Sequence, residues 1–122
     1  MRVFKTRVFA RWARDEGLGD EALVFAVAEM ERGLIDARLG GQVVKKRAAL
    51  SGHGKRGSTR TVIAYQQGDK AFFIFGFTKN AKDNVTAVEL QALKLLARNL
   101  LSYPPAELAS AVAAGELIEI NV

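Results

Sequence analysis

At 122 residues with 49% hydrophobic content, the chain has the length of one ordinary domain and enough apolar material for a single core between layers of secondary structure. It has no cysteine and one histidine, which excludes disulfides, thiolate chemistry, Cys/His zinc sites and catalysis by a histidine pair. Eighteen Lys and Arg against thirteen Asp and Glu leave a net charge of +5 and a pI near 9.8, a balance that favours polyanionic partners where the cations cluster.

Arg2 to Lys5 is a strand candidate, and Thr6 is placed to cap a helix running through Phe9 and Trp12 to about Glu16, where Gly17 and Gly19 stop it. A second helix starts near Asp20, with Leu23, Phe25, Val27 and Met30 mostly at helical spacing and Gly33 at its end. From Leu39 the period moves toward two. Val43 to Ala49, Thr59 to Gln66 and Lys70 to Thr78 read as three strands, the last two joined by the tight turn Gln67-Gly68-Asp69. Between the first two lies Ser51 to Ser58, a glycine-rich segment carrying His53, Lys55 and Arg56, read as an exposed loop. Asn84 and Thr86 can cap a long helix through about Leu101, whose leucines form a broad apolar face. Pro104 and Pro105 break it and start a short helix over roughly Ala106 to Ala114, and Leu117 to Ile120 alternates as a terminal strand or arm. The expected fold is therefore α+β: one domain over 1–122, with a small antiparallel or mixed sheet of about four strands against two N-terminal helices and a long C-terminal helix.

The chemistry-bearing residues are cations. Lys45, Lys46, Arg47, Lys55, Arg56 and Arg60 occupy a stretch without a carboxylate, and Lys79 and Lys82 follow the next apolar run. A triad would have to use His53 in a glycine-rich loop, and the glycine spacing is not that of a nucleotide-binding loop. Lys45 and Arg47 are two apart, so a strand projects both to one face, where Arg60 can join them across the ladder. Such a cradle can hold a phosphodiester and stabilise the charge that develops when a 2′-hydroxyl attacks it. A row of cations on a sheet face is equally what a solvated surface carries. Alternation sends Lys46 to the opposite face, so it either snorkels at an edge or sits on a bulge. Tyr65, Trp12 and the phenylalanines of Phe72 to Phe77 read as core ahead of base-stacking platforms.

Three blocks carry a resemblance: Lys45-Lys46-Arg47; Gly54-Lys55-Arg56-Gly57-Ser58-Thr59-Arg60 running into Val62-Ile63-Ala64-Tyr65; and Phe75-Gly76-Phe77-Thr78-Lys79-Asn80 followed by Glu89 to Lys94. With the order of elements, they make the chain resemble the RelE/HigB-type toxins of type II toxin-antitoxin modules, in the RelE/ParE superfamily. The resemblance implies a microbial RNase-like fold, metal- and cofactor-independent cleavage of messenger RNA on the ribosome and a cognate antitoxin encoded nearby; the cytoplasmic location expected is the default for a chain with no cysteine. By matching positions it implies Lys45, Arg47, Arg60 and Lys79 as catalytic residues, with Lys55 and Arg56 gripping RNA backbone; Lys46 and Lys82, which cluster with these cations, complete the expected RNA-binding set. Two positions depart from the pattern. Lys46 stands where the family has an apolar residue, and the late tyrosine of some members has no counterpart, since Tyr103 precedes two prolines. The general base is then open between Lys45 and Lys79. A non-catalytic RNA- or ribosome-binding module, or a subunit whose basic groove holds an acidic peptide, would need the same cations. No membrane partner is expected: the apolar runs are too short to span a bilayer, and Met1 to Thr6 lacks the apolar region of a signal peptide.

Overall fold

The computed structural model describes residues 1–49 and 58–122. In chain order they form β1 (Arg2–Thr6), α1 (Arg7–Glu16), α2 (Asp20–Glu31), β2 (Ala37–Gly40), β3 (Val43–Ala49), β4 (Ser58–Gln66), β5 (Lys70–Thr78), α3 (Ala87–Leu101), α4 (Pro105–Ala113) and β6 (Leu117–Ile120). The six strands make one mixed sheet in the order β2-β3-β4-β5-β1-β6. The α+β class is the expected one, but the sheet is wider than about four strands. β2 adds an antiparallel edge to β3, and β1 inserts parallel to β5 while pairing antiparallel with β6.

Alternation along the strands sorts side chains onto two covered faces. Under α1 and α2 lie Val3, Val44, Ala48, Ile63 and Phe73, packed with Phe9, Ala13, Leu23, Val27 and Met30. Under α3 and α4 lie Phe4, Val43, Val62, Ala64 and Phe72, packed with Leu93, Ala97, Leu100, Leu108 and Ala111. Phe4 and Phe72 are fully buried and stack with ring centroids 5.0 Å apart, each burial contributing about 2–3 kcal/mol.

A register shift shapes β5. Val62 pairs with Phe75 but Ile63 with Phe73, so Ile74 is the extra residue of a bulge. The shift leaves Phe73 on the α1 face and brings Phe75 and Phe77 to the α3 face, beside the cationic strands. Phe72, Phe73 and Phe77 are buried, whereas Phe75 is half-buried. Gly76 is required on the other side, because the Trp12 ring lies where a Cβ would stand.

The caps explain where the helices begin. Thr6 Oγ1 accepts from Phe9 N at 3.1 Å, and Gly17 ends α1 at φ 76°. Thr86, not Asn84, caps α3: its Oγ1 accepts from Glu89 N at 3.1 Å while Glu89 Oε1 accepts from Thr86 N at 2.8 Å. Pro105 opens α4 in the first turn, where its missing N–H costs nothing. Tyr65 is buried and its hydroxyl donates to Glu31 of α2; burial, then that hydrogen bond, holds its pKa above the ordinary value. No helix among the described residues is long and apolar enough to cross a membrane.

Candidate functional site

β3 and β4 run antiparallel with Lys45 opposite Val62 and Arg47 opposite Arg60. Val62 packs on the α3 face, so Lys45, Arg47 and Arg60 all project to that face. Two hydroxyls brace the arrangement from the other side. Thr61 Oγ1 donates to Lys46 O at 2.7 Å and Thr59 Oγ1 donates to Ala48 O at 3.0 Å, and both threonines are fully buried. They flank Arg60 and tie its strand to the one carrying Arg47.

The pairing of Arg47 with Arg60 is the least expected feature for a fold alone. The Arg47 N–H turns away from β4 and donates to the carboxylate of Asp36, just before β2, while Asp36 N donates to Lys45 O at 3.1 Å. Arg47 and Arg60 therefore form the non-hydrogen-bonded type of antiparallel pair, whose Cα atoms stand about 4.5 Å apart and whose side chains are closest. Like charges placed so are destabilising. No carboxylate lies within ion-pair distance of Lys45, Arg47 or Arg60 among the described residues, and residues 50–57 contain no acid. Asp36, beside Arg47, spends its carboxylate on a backbone N–H.

Other elements close the rim. Lys45 Nζ reaches Asn84 Oδ1 at 3.5 Å, and the same oxygen accepts from Val85 N at 2.9 Å. This contact brings the segment leading into α3, and with it the positive end of that helix dipole, to the cationic face. Asn84 thus serves the site and not the helix cap, a role with no signal in the sequence. Arg60 pairs with Phe77 on its other side, and Lys79 follows in the turn just past β5, exposed. Lys79 is close in the chain to this face but outside the ladder.

Lys82 and Lys46 are differently placed. Lys82 sits over the Phe75 ring, 5.6 Å from its centroid, and pairs with Glu89; that hydrogen bond, then the one from Thr86 N, holds the Glu89 carboxyl below its ordinary range. Its charge is partly committed. Lys46, expected among the RNA-binding residues, lies on the α2 side of the sheet, 6% exposed, with Nζ 3.1 Å from Glu29 of α2. Strand alternation places it there, with neither a bulge nor an exposed edge. It lines a groove of about 1030 Å³ with Phe25, Ala26, Glu29 and Asp36, whose carboxylates suit RNA poorly. Lys55 and Arg56 lie outside the described residues.

The result is a two-strand platform of three cations without carboxylate partners, braced by buried threonines and edged by Asn84 and a half-buried phenylalanine. A phosphodiester laid on it would meet Arg47 and Arg60 forks from adjacent strands and the Lys45 ammonium beside them. Among curated proteins, none matches the chain. A family model described as the RelE toxin of the RelE / RelB toxin-antitoxin system matches residues 1–120.

Proposed function

The chain belongs to the RelE toxin family, and on that premise we propose that it is a metal-independent endoribonuclease that cuts messenger RNA on the ribosome, using the cations of β3 and β4. As a member of that family it is the toxin of a toxin-antitoxin pair, with a cognate antitoxin as partner. The observation that carries the catalytic reading is the Arg47–Arg60 cross-strand pair, a like-charge juxtaposition that costs stability and repays it only when an anion sits between the two groups.

In this reading the scissile phosphate lies over Arg47 and Arg60. The neighbouring 2′-oxygen attacks phosphorus, the bond to the 5′-oxygen breaks, and the products are a 2′,3′-cyclic phosphate and a 5′-hydroxyl. The two guanidinium groups neutralise the non-bridging oxygens as charge accumulates on them. One group must take the 2′-proton and another must give a proton to the departing 5′-oxygen. Lys45, held beside Asn84, and Lys79 at the rim are the candidates for these transfers. Phe75 and Lys82 flank the platform where an adjoining nucleotide would lie, and Lys55 and Arg56 would grip backbone. The same reading makes the chain one domain working in the cytoplasm.

Induced expression tests this. Wild type should arrest growth and leave new transcript 5′ ends inside coding regions. Arg60→Ala should lose both, with a cleavage rate reduced roughly 100-fold or more, while keeping its circular dichroism. Arrest without new 5′ ends would make the protein a binder of RNA or ribosomes, and a fully toxic Arg60→Ala protein would remove the cradle from the mechanism.

A further inference from the structure

α3 turns one side to the sheet and another to solvent. Leu93, Ala97 and Leu100 are its buried residues. At about 100° per residue, Val88 and Leu95 fall roughly 150–170° round the helix from the centre of that buried side. Val88 is 79% exposed, Leu95 59% and Leu96 36%, and Ala92 between them is exposed too. The four make an apolar stripe about 12 Å long at i, i+4, i+7 and i+8, the spacing with which one helix seats itself against another. Scattered exposed apolar residues are ordinary, and Val8, Phe25, Leu34, Ile118 and Val122 stand one to a segment. A stripe along one helix is a different feature. Val88 is also β-branched and a poor helix former, so at an exposed position it costs the helix a little and gains no burial in return.

We propose that this stripe is the contact between two copies of the chain, which pair through α3 in antiparallel fashion about a two-fold axis. The stripe is its own complement under that axis. Ala92 lies at its middle, so the axis passes beside it; Val88 of one copy then packs on Leu95 and Leu96 of the other, and the reverse. A small residue at the crossing lets the two helices approach closely, near the lower end of the usual 8–10 Å between axes. Polar residues border the apolar centre, with Gln91 and Asn99 exposed beside it, as at other protein interfaces.

Charge sets the direction. Asp83, just before α3, and Arg98, in its last turn, are both exposed, and neither has an ion-pair partner among the described residues. Antiparallel pairing brings the Asp83 end of each copy beside the Arg98 end of the other, twice over, and opposes the two helix dipoles. Parallel pairing would set Asp83 against Asp83 and Arg98 against Arg98. The seat of an unrelated partner would need none of this symmetry. The contact is small next to a standard interface, so the dimer forms at micromolar concentration. It goes beyond the cleavage reading and stands whether or not the protein cuts RNA.

Sedimentation velocity of the purified full chain, from about 1 μM to 1 mM, covers that range. The expected result is a monomer–dimer equilibrium, with Leu95→Glu raising the dissociation constant roughly 100-fold or more, because each dimer would bury the new charge twice. Asp83→Arg and Arg98→Asp should each weaken the dimer several-fold, and the double variant should recover it. A chain that stays monomeric throughout overturns the proposal; if Leu95→Glu then lowers affinity for the cognate antitoxin, the stripe is that partner's seat. A dimer that Leu95→Glu leaves intact, in a variant with native circular dichroism, overturns it as well. Oxidation gives an independent reading should Leu95→Glu misfold. The chain has no cysteine, so Ala92→Cys should cross-link into a disulfide-bonded dimer, whereas Glu107→Cys, exposed on α4, should not. Failure of Ala92→Cys to cross-link is equally decisive.

Discussion

Removing the Glu29 carboxylate should destabilise the fold through Lys46 while leaving RNA binding alone. The Lys46 side chain is 7% exposed and that of Glu29 is 26% exposed, with Nζ and Oε1 3.1 Å apart. At an effective dielectric of about 20 the attraction is about 5 kcal/mol, most of it offset by the cost of taking the ammonium out of water. Breaking a fully buried pair costs about 3–5 kcal/mol; because water reaches Glu29, Glu29→Ala should cost about 2 kcal/mol, a fall in Tm of roughly 6–10 °C for a domain of this size. Lys46→Met fills the same space without a charge, so it should be neutral within about 1 kcal/mol and should rescue Glu29→Ala. Urea denaturation of the two single variants and the double variant measures the coupling. RNA titration at several salt concentrations should show an unchanged slope for Lys46→Met and a slope lower by about one for Arg47→Ala. A Glu29→Ala protein within about 0.5 kcal/mol of wild type, below the loss expected of a broken buried pair, would refute the ion-pair reasoning. So would a Lys46→Met protein that loses RNA affinity as Arg47→Ala does.

Gly76→Ala should destabilise by about 1–3 kcal/mol, because its methyl group would overlap the Trp12 ring; pairing it with Trp12→Ala should recover part of that loss in the same denaturation assay. Asp36→Ala leaves the Arg47 N–H without its acceptor, so kcat should fall several-fold, for a lost hydrogen bond of about 1 kcal/mol, with RNA affinity held. Asp36→Asn keeps an acceptor oxygen and should retain activity; an Asn variant as slow as Ala would show that the hydrogen bond is not what positions Arg47. Glu89 has a depressed carboxyl pKa, from its hydrogen bond to Lys82 first and to Thr86 N second. A carboxyl depressed on folding stabilises above its unfolded pKa, and the contribution is lost as pH falls through the folded one. The stability difference between wild type and Glu89→Gln should therefore be present at pH 7 and vanish on acidification below the ordinary value of 4.5; a difference independent of pH would contradict the assignment.

The central strands were readable because period-two runs with a tight turn at Gln67–Asp69 fix both faces of β4 and β5 at once. Strand parity likewise put Lys45 and Arg47 together and Lys46 opposite. What parity could not supply was the partner: Glu29 belongs to α2, and only packing brings it to Lys46. β2 escaped notice because its four residues, Ala37–Gly40, alternate only between half-buried and exposed and owe their pairing to β3. The pairing of β1 with β6 joins the two ends of the chain, a long-range contact that no local pattern announces. Asn84 looks like a helix cap in sequence, and its contact with Lys45 depends on where α3 is seated.

Cleavage by 2′-hydroxyl attack at the Arg47–Arg60 platform is tested most directly by the RNA ends it leaves. Translating ribosomes programmed with a defined messenger RNA should yield 2′,3′-cyclic phosphate and 5′-hydroxyl termini with wild-type protein. Those ends should disappear with a single 2′-deoxy substitution at the cleaved nucleotide, and with Arg60→Ala protein of native circular dichroism. Ends bearing a 5′-phosphate, cleavage that survives the deoxy substitution, or cleavage undiminished in Arg60→Ala would contradict it.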